Sequence, residues 1–374
     1  MSRDFVPFAL ERMMSEWENA VDFNLSVSGV NPLTIEELVE DPKRIADLLS
    51  TGLGYPQSNG IIELREKVAN LYPGATPDNI IITTGAAQAN FTTIWTLMES
   101  NNEILVMLPN YMQIWGIAQN FGLSLKTFSL KEELGWAIDI EGFDQAVTVQ
   151  TKLIAVCNPN SPSGQIMSSE EMEAVVSAAN RSGAWLLADE VYAGTERTNE
   201  EVTPSFWGSY DRVIVVSSMS KAYGLPGLRI GWAVAPAEII EQIWARQEYI
   251  TISSTILANV LAAHALSPEV RPRIIARTRD YIQQGYGIFE RWAEQHGELL
   301  SWVPPKAGAF ACVRYHADAN STELCERLIR DHSTYVVPGD HFGMDGYLRI
   351  GFGAPADTLL EGLNRVAKVI QSVR

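Results

Sequence analysis

The sequence is poor in cysteine and in positive charge, and it has no long apolar run. Only three cysteines occur in 374 residues, Cys157, Cys312 and Cys325. They are far apart, odd in number and without the paired spacing of a metal site, and each sits in an apolar stretch. Buried free thiols in a reducing compartment are therefore expected. Lysine and arginine total 28 against 45 aspartates and glutamates, for a formal net charge of −17. Nucleic-acid binding needs a basic footprint, so that class is excluded, and the acidic excess serves solubility. No stretch approaches the roughly 20 apolar residues that cross a bilayer. The segment from Met1 to Ala20 lacks both a sustained apolar run and a small-residue cleavage site, so no secretory signal is expected. Repeats and low-complexity tracts are absent, and none of the five histidines has a metal-like partner spacing. The expectation is a soluble, cytoplasmic enzyme without a metal.

What is present is apolar bulk. The chain is 46% hydrophobic. That supports a large core, too large for one small domain, and points to two packed units. From residue 79 to 234, short β-rich runs alternate with helical patterns. Strands are expected at 79–83, 103–108, 123–128, 152–157, 184–188, 212–216 and 229–234. The run KLIAVC is continuously apolar, as in a strand covered on both faces. Ala87, Phe91, Ile94 and Met98 share one helical face. Ser168 and Glu171 form a capping box ahead of a helix striped by Met172, Val175, Val176 and Ala179. This βαβ rhythm implies an α/β fold with a mainly parallel central sheet between helices. After about residue 270 the rhythm changes. Strands are expected at 299–303, 309–315, 334–337 and 347–352, with helices at 322–331 and at the C-terminus. The reading is a large domain over 46–270 and a smaller α+β domain built from 1–45 plus 271–374.

Four stretches carry chemistry. In the first, Lys221 follows the strand pattern RVIVV through Ser217, Ser218, Met219 and Ser220. Parallel sheets place ligands at this edge, and lysine forms Schiff bases with carbonyl cofactors. The hydroxyls of Ser218 and Ser220 and the cation of Arg229 suit a phosphate. A lone lysine after a strand is ordinarily just an exposed lysine. In the second, Asp189, Glu190, Val191 and Tyr192 follow the apolar run AWLLA. A carboxylate there can hold a protonated pyridine nitrogen; alone, it reads equally well as a helix cap. In the third, Thr83 to Gln88 join a strand to a helix through Gly85, Ala86 and Ala87, where backbone N–H groups can meet a phosphate. The fourth is NPNSPSG at 158–164, which by itself is a rigid turn.

In this order and spacing the four stretches resemble the fold-type-I pyridoxal 5′-phosphate (PLP) enzymes of the class I/II aminotransferase family. The resemblance runs over nearly the whole chain, most specifically in SSMSKAYGLPGLRIGW, ADEVY and NPNSPSG. It implies roles residue by residue. Lys221 resembles the Schiff-base lysine, Asp189 the partner of the pyridine nitrogen, and Tyr192 the partner of the ring hydroxyl. Ser218, Arg229 and the backbone of Gly85, Ala86 and Ala87 resemble phosphate ligands. Tyr111, in LPNYMQIW, matches the aromatic that stacks on the ring. Tyr55, in GLGYPQSNG, matches a tyrosine that reaches the neighbouring subunit's phosphate, which implies a homodimer with shared active sites. Arg349, in GYLRIGFG, matches the arginine that grips the substrate carboxylate, and Gly29 the glycine that lies over the substrate.

The chain departs from the family pattern at Ser161. Asparagine ordinarily stands there and bonds the ring hydroxyl. The resemblance implies an aminotransferase acting on an L-amino acid and a 2-oxo acid. The alternative is an eliminating, replacing or cyclising enzyme on the same scaffold. The SVSGVNPL stretch resembles a capreomycidine-synthase-like branch, and the serine suits an altered site. A third class, transcription regulators sharing the scaffold, adds a basic DNA-binding domain that this sequence lacks. The acidic run from Glu11 to Glu18 reads as a solvated helix face, although the family's N-terminal segment can line the pocket.

Overall fold

In a computed structural model that describes residues 5–374, the seven strands expected between residues 79 and 234 join one eight-stranded sheet, whose eighth strand, Ala137–Ile138, was not expected. Residues 1–4 of the N-terminal segment read above lie outside the described residues. The strand order is Ile80–Thr83, Gly231–Val234, Val213–Ser218, Trp185–Asp189, Thr151–Cys157, Glu103–Leu108, Ser124–Lys131 and Ala137–Ile138. All but Gly231–Val234 and Ala137–Ile138 point the same way. A parallel neighbour needs a long crossover, usually helical. Residues 219–230 hold only a short 3-10 turn at Pro226–Leu228, so the chain returns antiparallel on both sides.

Successive side chains in a strand face opposite ways, and the two cores divide accordingly. Ile80, Ile82, Leu105, Met107, Ile154 and Val156 face one core, whereas Ile81, Ile104, Val106, Leu153 and Ala155 face the other. Helices cover both faces, which is why these runs read as continuously apolar. The capping box ahead of the Ser169–Ser182 helix is formed: Glu171 N–H donates to Ser168 Oγ at 3.2 Å, and Ser168 N–H donates to Glu171 Oε2 at 2.7 Å.

The smaller sheet is antiparallel, in the order Leu300–Trp302, Phe310–Tyr315, Tyr347–Gly351 and Val337–Pro338. One expectation is corrected here. The single strand at 334–337 is two: Thr334–Tyr335 pairs in parallel with Phe23–Asn24, and Val337–Pro338 pairs with Tyr347–Gly351. Its two halves serve different partners, so the pairing breaks between them. A further core joins Met13, Leu25 and Val30 to Phe289, Trp292, Val313, Ile350 and Leu363. The helix Arg271–Gln295 spans the two units: Ile274 and Ile275 pack in the large core, and Ile282, Tyr286 and Phe289 in the smaller one. Leu38 and Val39 also pack in the large core. All three cysteines are buried free thiols. Among the described residues no helix is long and apolar enough to cross a membrane.

Candidate active site

Parallel strands end on one edge, and their register brings the chemical residues together there. Cys157 lies opposite Asp189, and Asp189 opposite Val216. Ser218 lies opposite Gly231, and Gly231 opposite Thr83. Asp189 and Ser218 end their strands, and the segments that follow the strands carry Gly85, Ser161, Tyr192 and Lys221. Sequence stretches more than a hundred residues apart thus meet at one edge of the sheet.

Gly85 opens the helix Gly85–Leu97 with a positive φ of 76°. The first N–H groups of such a helix have no partner within it and carry the positive end of its dipole. The Arg229 guanidinium lies directly against this turn. A Cβ at Gly85 would stand 2.4 Å from one of its nitrogens, and a Cβ at Gly231 would stand 2.4 Å from Ala86 N. Two glycines therefore make room for a cradle of N–H groups, a cation and the buried Ser218 hydroxyl, which accepts from Ser220 N–H at 3.2 Å. This fits a phosphate.

Asp189 is buried. Its Oδ2 accepts from Asn90 Nδ2 at 3.0 Å, and its Oδ1 accepts from Val191 N–H at 3.2 Å. Burial raises its pKa, opposed by those hydrogen bonds and by the nearby Lys221. A buried carboxylate with this little compensation favours a cationic neighbour. Lys221 Nζ donates to Ser28 Oγ at 2.8 Å and stands 5.8 Å from the centre of the Tyr192 ring. Tyr192 meets Phe310 edge-on with centroids 5.2 Å apart, and the Arg349 guanidinium lies 5.8 Å from the same Phe310 ring. Arg349 is 3% exposed. It donates to Ser26 O at 2.7 Å, and its Nε has no partner. Burial lowers its pKa, opposed by neighbours that include Tyr192, Tyr335 and Glu11. A guanidinium nonetheless keeps its charge.

The Ser161 hydroxyl is fully buried without a partner. Asn160 does not substitute for the missing asparagine. Its Nδ2 donates to Pro109 O at 3.1 Å, and its Oδ1 accepts from Ser163 N–H and Oγ at 3.2 and 2.6 Å. Gly29 lies behind Lys221: a Cβ there would stand 3.5 Å from Ser220 O. Tyr55 stands apart from the others, 88% exposed.

Several site neighbours escaped the sequence reading. Glu11, read as part of a solvated face, accepts from the Tyr111 hydroxyl at 2.6 Å. Phe8, just ahead of the helix Ala9–Trp17 that carries Glu11, stands 5.0 Å from the Tyr111 ring. Burial raises the Glu18 carboxyl pKa, Glu11 adds to this, and Lys221 opposes it. Asn90 carried no motif, and Ser28, within SVSGVNPL, was given no role. The signal for Asn90 was its place on a helix that buries Gln88, Asn90, Thr92 and Thr93 as well as Ile94. Polar residues sunk in a helix beside a strand-end carboxylate mark a site rather than a plain core.

The comparisons with known proteins agree with this geometry. The family model described as aminotransferase class I and II matches residues 22–366. Capreomycidine synthase of Streptomyces vinaceus is 30% identical over 92% of this chain and 89% of its own. A probable aspartate/prephenate aminotransferase of Aquifex aeolicus (strain VF5) is 26% identical over 85% of this chain and 84% of its own. The crystal structure of a PLP-dependent aminotransferase from Streptococcus suis 89-1591 superimposes with a TM-score of 0.92 at 29% identity, covering 100% of this chain and 99% of that one. The fold is the fold-type-I architecture, and pyridoxal 5′-phosphate is the cofactor that the anion cradle and buried carboxylate fit. The chain belongs to the class I and II aminotransferase family.

Proposed function

We propose that the protein transfers an amino group between an L-amino acid and a 2-oxo acid, with Lys221 as the covalent anchor of the cofactor. The observation that carries this reading is the convergence of Lys221, Asp189 and Arg349, from three separate elements, on one chamber. The cofactor, when bound, supplies a carbonyl for amine attachment and a protonated ring into which electrons from Cα can spread. The N–H groups of Gly85, Ala86 and Ala87, the Ser218 hydroxyl and Arg229 hold the phosphate. Asp189, oriented by Asn90, keeps the ring nitrogen protonated. Tyr192 and Ser161 address the ring hydroxyl, and Tyr111 stacks on the ring. Arg349 grips the substrate carboxylate through a bidentate pair that its unpartnered Nε leaves open. Gly29 lies over the substrate. The Lys221 amine would be the base that takes the substrate Cα proton and the acid that returns it two atoms away, the 1,3-shift that transamination requires.

The site is completed by a second copy of the chain. Leu49, Leu53 and Tyr55 are exposed by 84, 80 and 88%, and Tyr249 by 86%. Gln247 Nε2 ties this region to Ser58 O at 2.7 Å, and the neighbouring Thr251 hydroxyl accepts from Gln88 beside the phosphate turn at 2.9 Å. Exposed apolar residues of this kind support reading the region as an interface.

A second reading, elimination, replacement or cyclisation, is favoured by Ser161 in place of asparagine and by the 30% identity to capreomycidine synthase. Incubation with single amino acids and a 2-oxo acid separates the two. Transamination yields a new keto acid and a new amino acid without free ammonia. Ammonia, or a cyclised product with the 2-oxo acid unconsumed, overturns the first reading.

A further inference from the structure

The irregular segment from Leu25 to Asn31 contacts the two groups proposed to hold an amino acid, Arg349 and Lys221. It is fixed at both ends. Leu25 N–H donates to Tyr335 O at 2.8 Å, Gly351 N–H donates to Leu25 O at 2.7 Å, and Asn31 N–H donates to Gly353 O at 3.0 Å. Glycines let the segment lie close: a Cβ at Gly351 would stand 2.3 Å from Val27 O, and one at Gly353 would stand 2.2 Å from Gly29 O. Between these anchors Ser26 O accepts from Arg349, and Ser28 Oγ accepts from Lys221 Nζ at 2.8 Å. Ser26 and Ser28 lie two residues apart in this segment, so one short stretch of chain touches both the arginine, through the Ser26 carbonyl, and the lysine, through the Ser28 hydroxyl. Ser28 itself is 6% exposed.

We infer that Ser28 is the positioning residue of Lys221, holding the lysine amine against this segment at a set distance from Arg349. The inference rests on the reading of Lys221 as the residue that moves the Cα proton. A free neutral amine turns about its Cε–Nζ bond. Donating one N–H to Ser28 stops that rotation and leaves the lone pair in one direction. When the amine takes the proton, the Cα–H electrons stay with the substrate carbon and its conjugated partner, and Nζ becomes an ammonium. Its bond to Ser28 is then charge-assisted and stronger. Ser28 therefore aims the base and stabilises its protonated form. With the cofactor attached, the Ser28 hydroxyl would remain an acceptor beside this nitrogen and would favour its protonated form. Removing the hydroxyl should lower the pH midpoint of the visible-band titration.

The test uses the holoenzyme and its Ser28→Ala and Ser28→Thr variants. In Ser28→Ala, Cα proton exchange in deuterated water should fall about tenfold, which is about 1.4 kcal/mol. The visible-band midpoint should fall with it, while the Michaelis constant for the amino acid changes less than the turnover. Ser28→Thr keeps a hydroxyl and should recover both. A merely structural serine would lower thermal stability without moving the titration midpoint. Unchanged exchange and midpoint in a folded Ser28→Ala protein overturn the inference. If Ser28→Ala does not fold, Ser28→Cys replaces it: a thiol is a weak acceptor, and a wild-type midpoint in that variant overturns the inference equally. Lys221→Ala is the control for the underlying reading. If that variant still exchanges the Cα proton, the assignment of Lys221 fails, whatever Ser28 does.

Discussion

Ser161 and Asp189 stand at adjacent strand ends, yet their side chains are in opposite situations. Asp189 accepts two hydrogen bonds, whereas the Ser161 hydroxyl has none. A buried polar atom without a partner costs about 1–3 kcal/mol, so it is retained where a ligand completes it. Under the proposed roles, serine here would leave Tyr192 most of the contact to the ring hydroxyl. Restoring the family residue by Ser161→Asn adds a donor that favours the ionised ring oxygen. A neutral hydrogen bond is worth roughly 0.5–1.5 kcal/mol, and one pKa unit is about 1.4 kcal/mol. The visible-band titration should move by up to about one unit, and amino-acid binding should tighten several-fold. If the serine serves a reaction other than transamination, the same change raises keto-acid formation relative to ammonia release. A variant with unaltered spectrum, binding and products would show that Ser161 does not address the cofactor. The legibility of the site at this scale is uneven. Lys221 and Asp189 stand in recognisable stretches at strand ends, and Arg349 within a strand stretch, GYLRIGFG. Ser28, Asn90 and Glu11 were given no role, because their parts are set by contacts across the chain: Ser28 to Lys221, Asn90 to Asp189, and Glu11 to Tyr111.

At the scale of elements, most strands were legible to within a residue or two because both-face burial makes apolar runs. Ile80–Thr83, Glu103–Leu108 and Thr151–Cys157 are examples. The part-exposed Ser124–Lys131 runs three residues past its expected end, and the two-residue strands Phe23–Asn24 and Ala137–Ile138 were not expected. Direction and partner were not legible: Gly231–Val234 runs antiparallel, and 334–337 divides between two sheets. The helix Arg271–Gln295 matters most to the chamber, because it ties the core beneath Lys221 to the unit that carries Arg349. Its contact with the smaller unit depends on Gly285. A Cβ there would stand 1.8 Å from the Phe352 carbonyl oxygen, a backbone atom that cannot swing away. Gly285→Ala gains helix propensity, worth under about 1 kcal/mol, but overpacks the crossing at a cost of roughly 1–3 kcal/mol. The variant should unfold at lower denaturant, and amino-acid binding should weaken through displaced Arg349 while cofactor retention changes little. Denaturant titration and spectral titration with amino acid measure the two effects. A stabilised variant with normal binding would show that this crossing does not set the arginine.

For the whole molecule, the exposed apolar residues around Tyr55 and Tyr249 bear on how many chains make a site. If Tyr55 serves its partner's phosphate, Tyr55→Phe and Lys221→Ala subunits are each defective in different ways. A mixed dimer then has one site with both groups intact, formed from Lys221 of one chain and Tyr55 of the other. Mixing the two inactive proteins should restore up to about half of the activity per dimer, with assembly checked by differential tagging. Confirmed mixed dimers without recovery would mean that each chain completes its own site.

The sequence by itself determined the α/β class, the strand runs, the cofactor family and the identity of the residues with chemical potential. These follow from local rules: alternating burial, turn chemistry and short motifs at strand ends. Only the tertiary structure decided which strands pair, how the segment from Leu25 to Asn31 reaches both Lys221 and Arg349, and that Glu11 bonds Tyr111 rather than facing water. It also decided that Asn160 is spent within its own turn, leaving the Ser161 hydroxyl unpartnered. The reason is physical. A hydrogen bond between residues 28 and 221 depends on where two cores place two backbones, and no local preference at either residue encodes that distance.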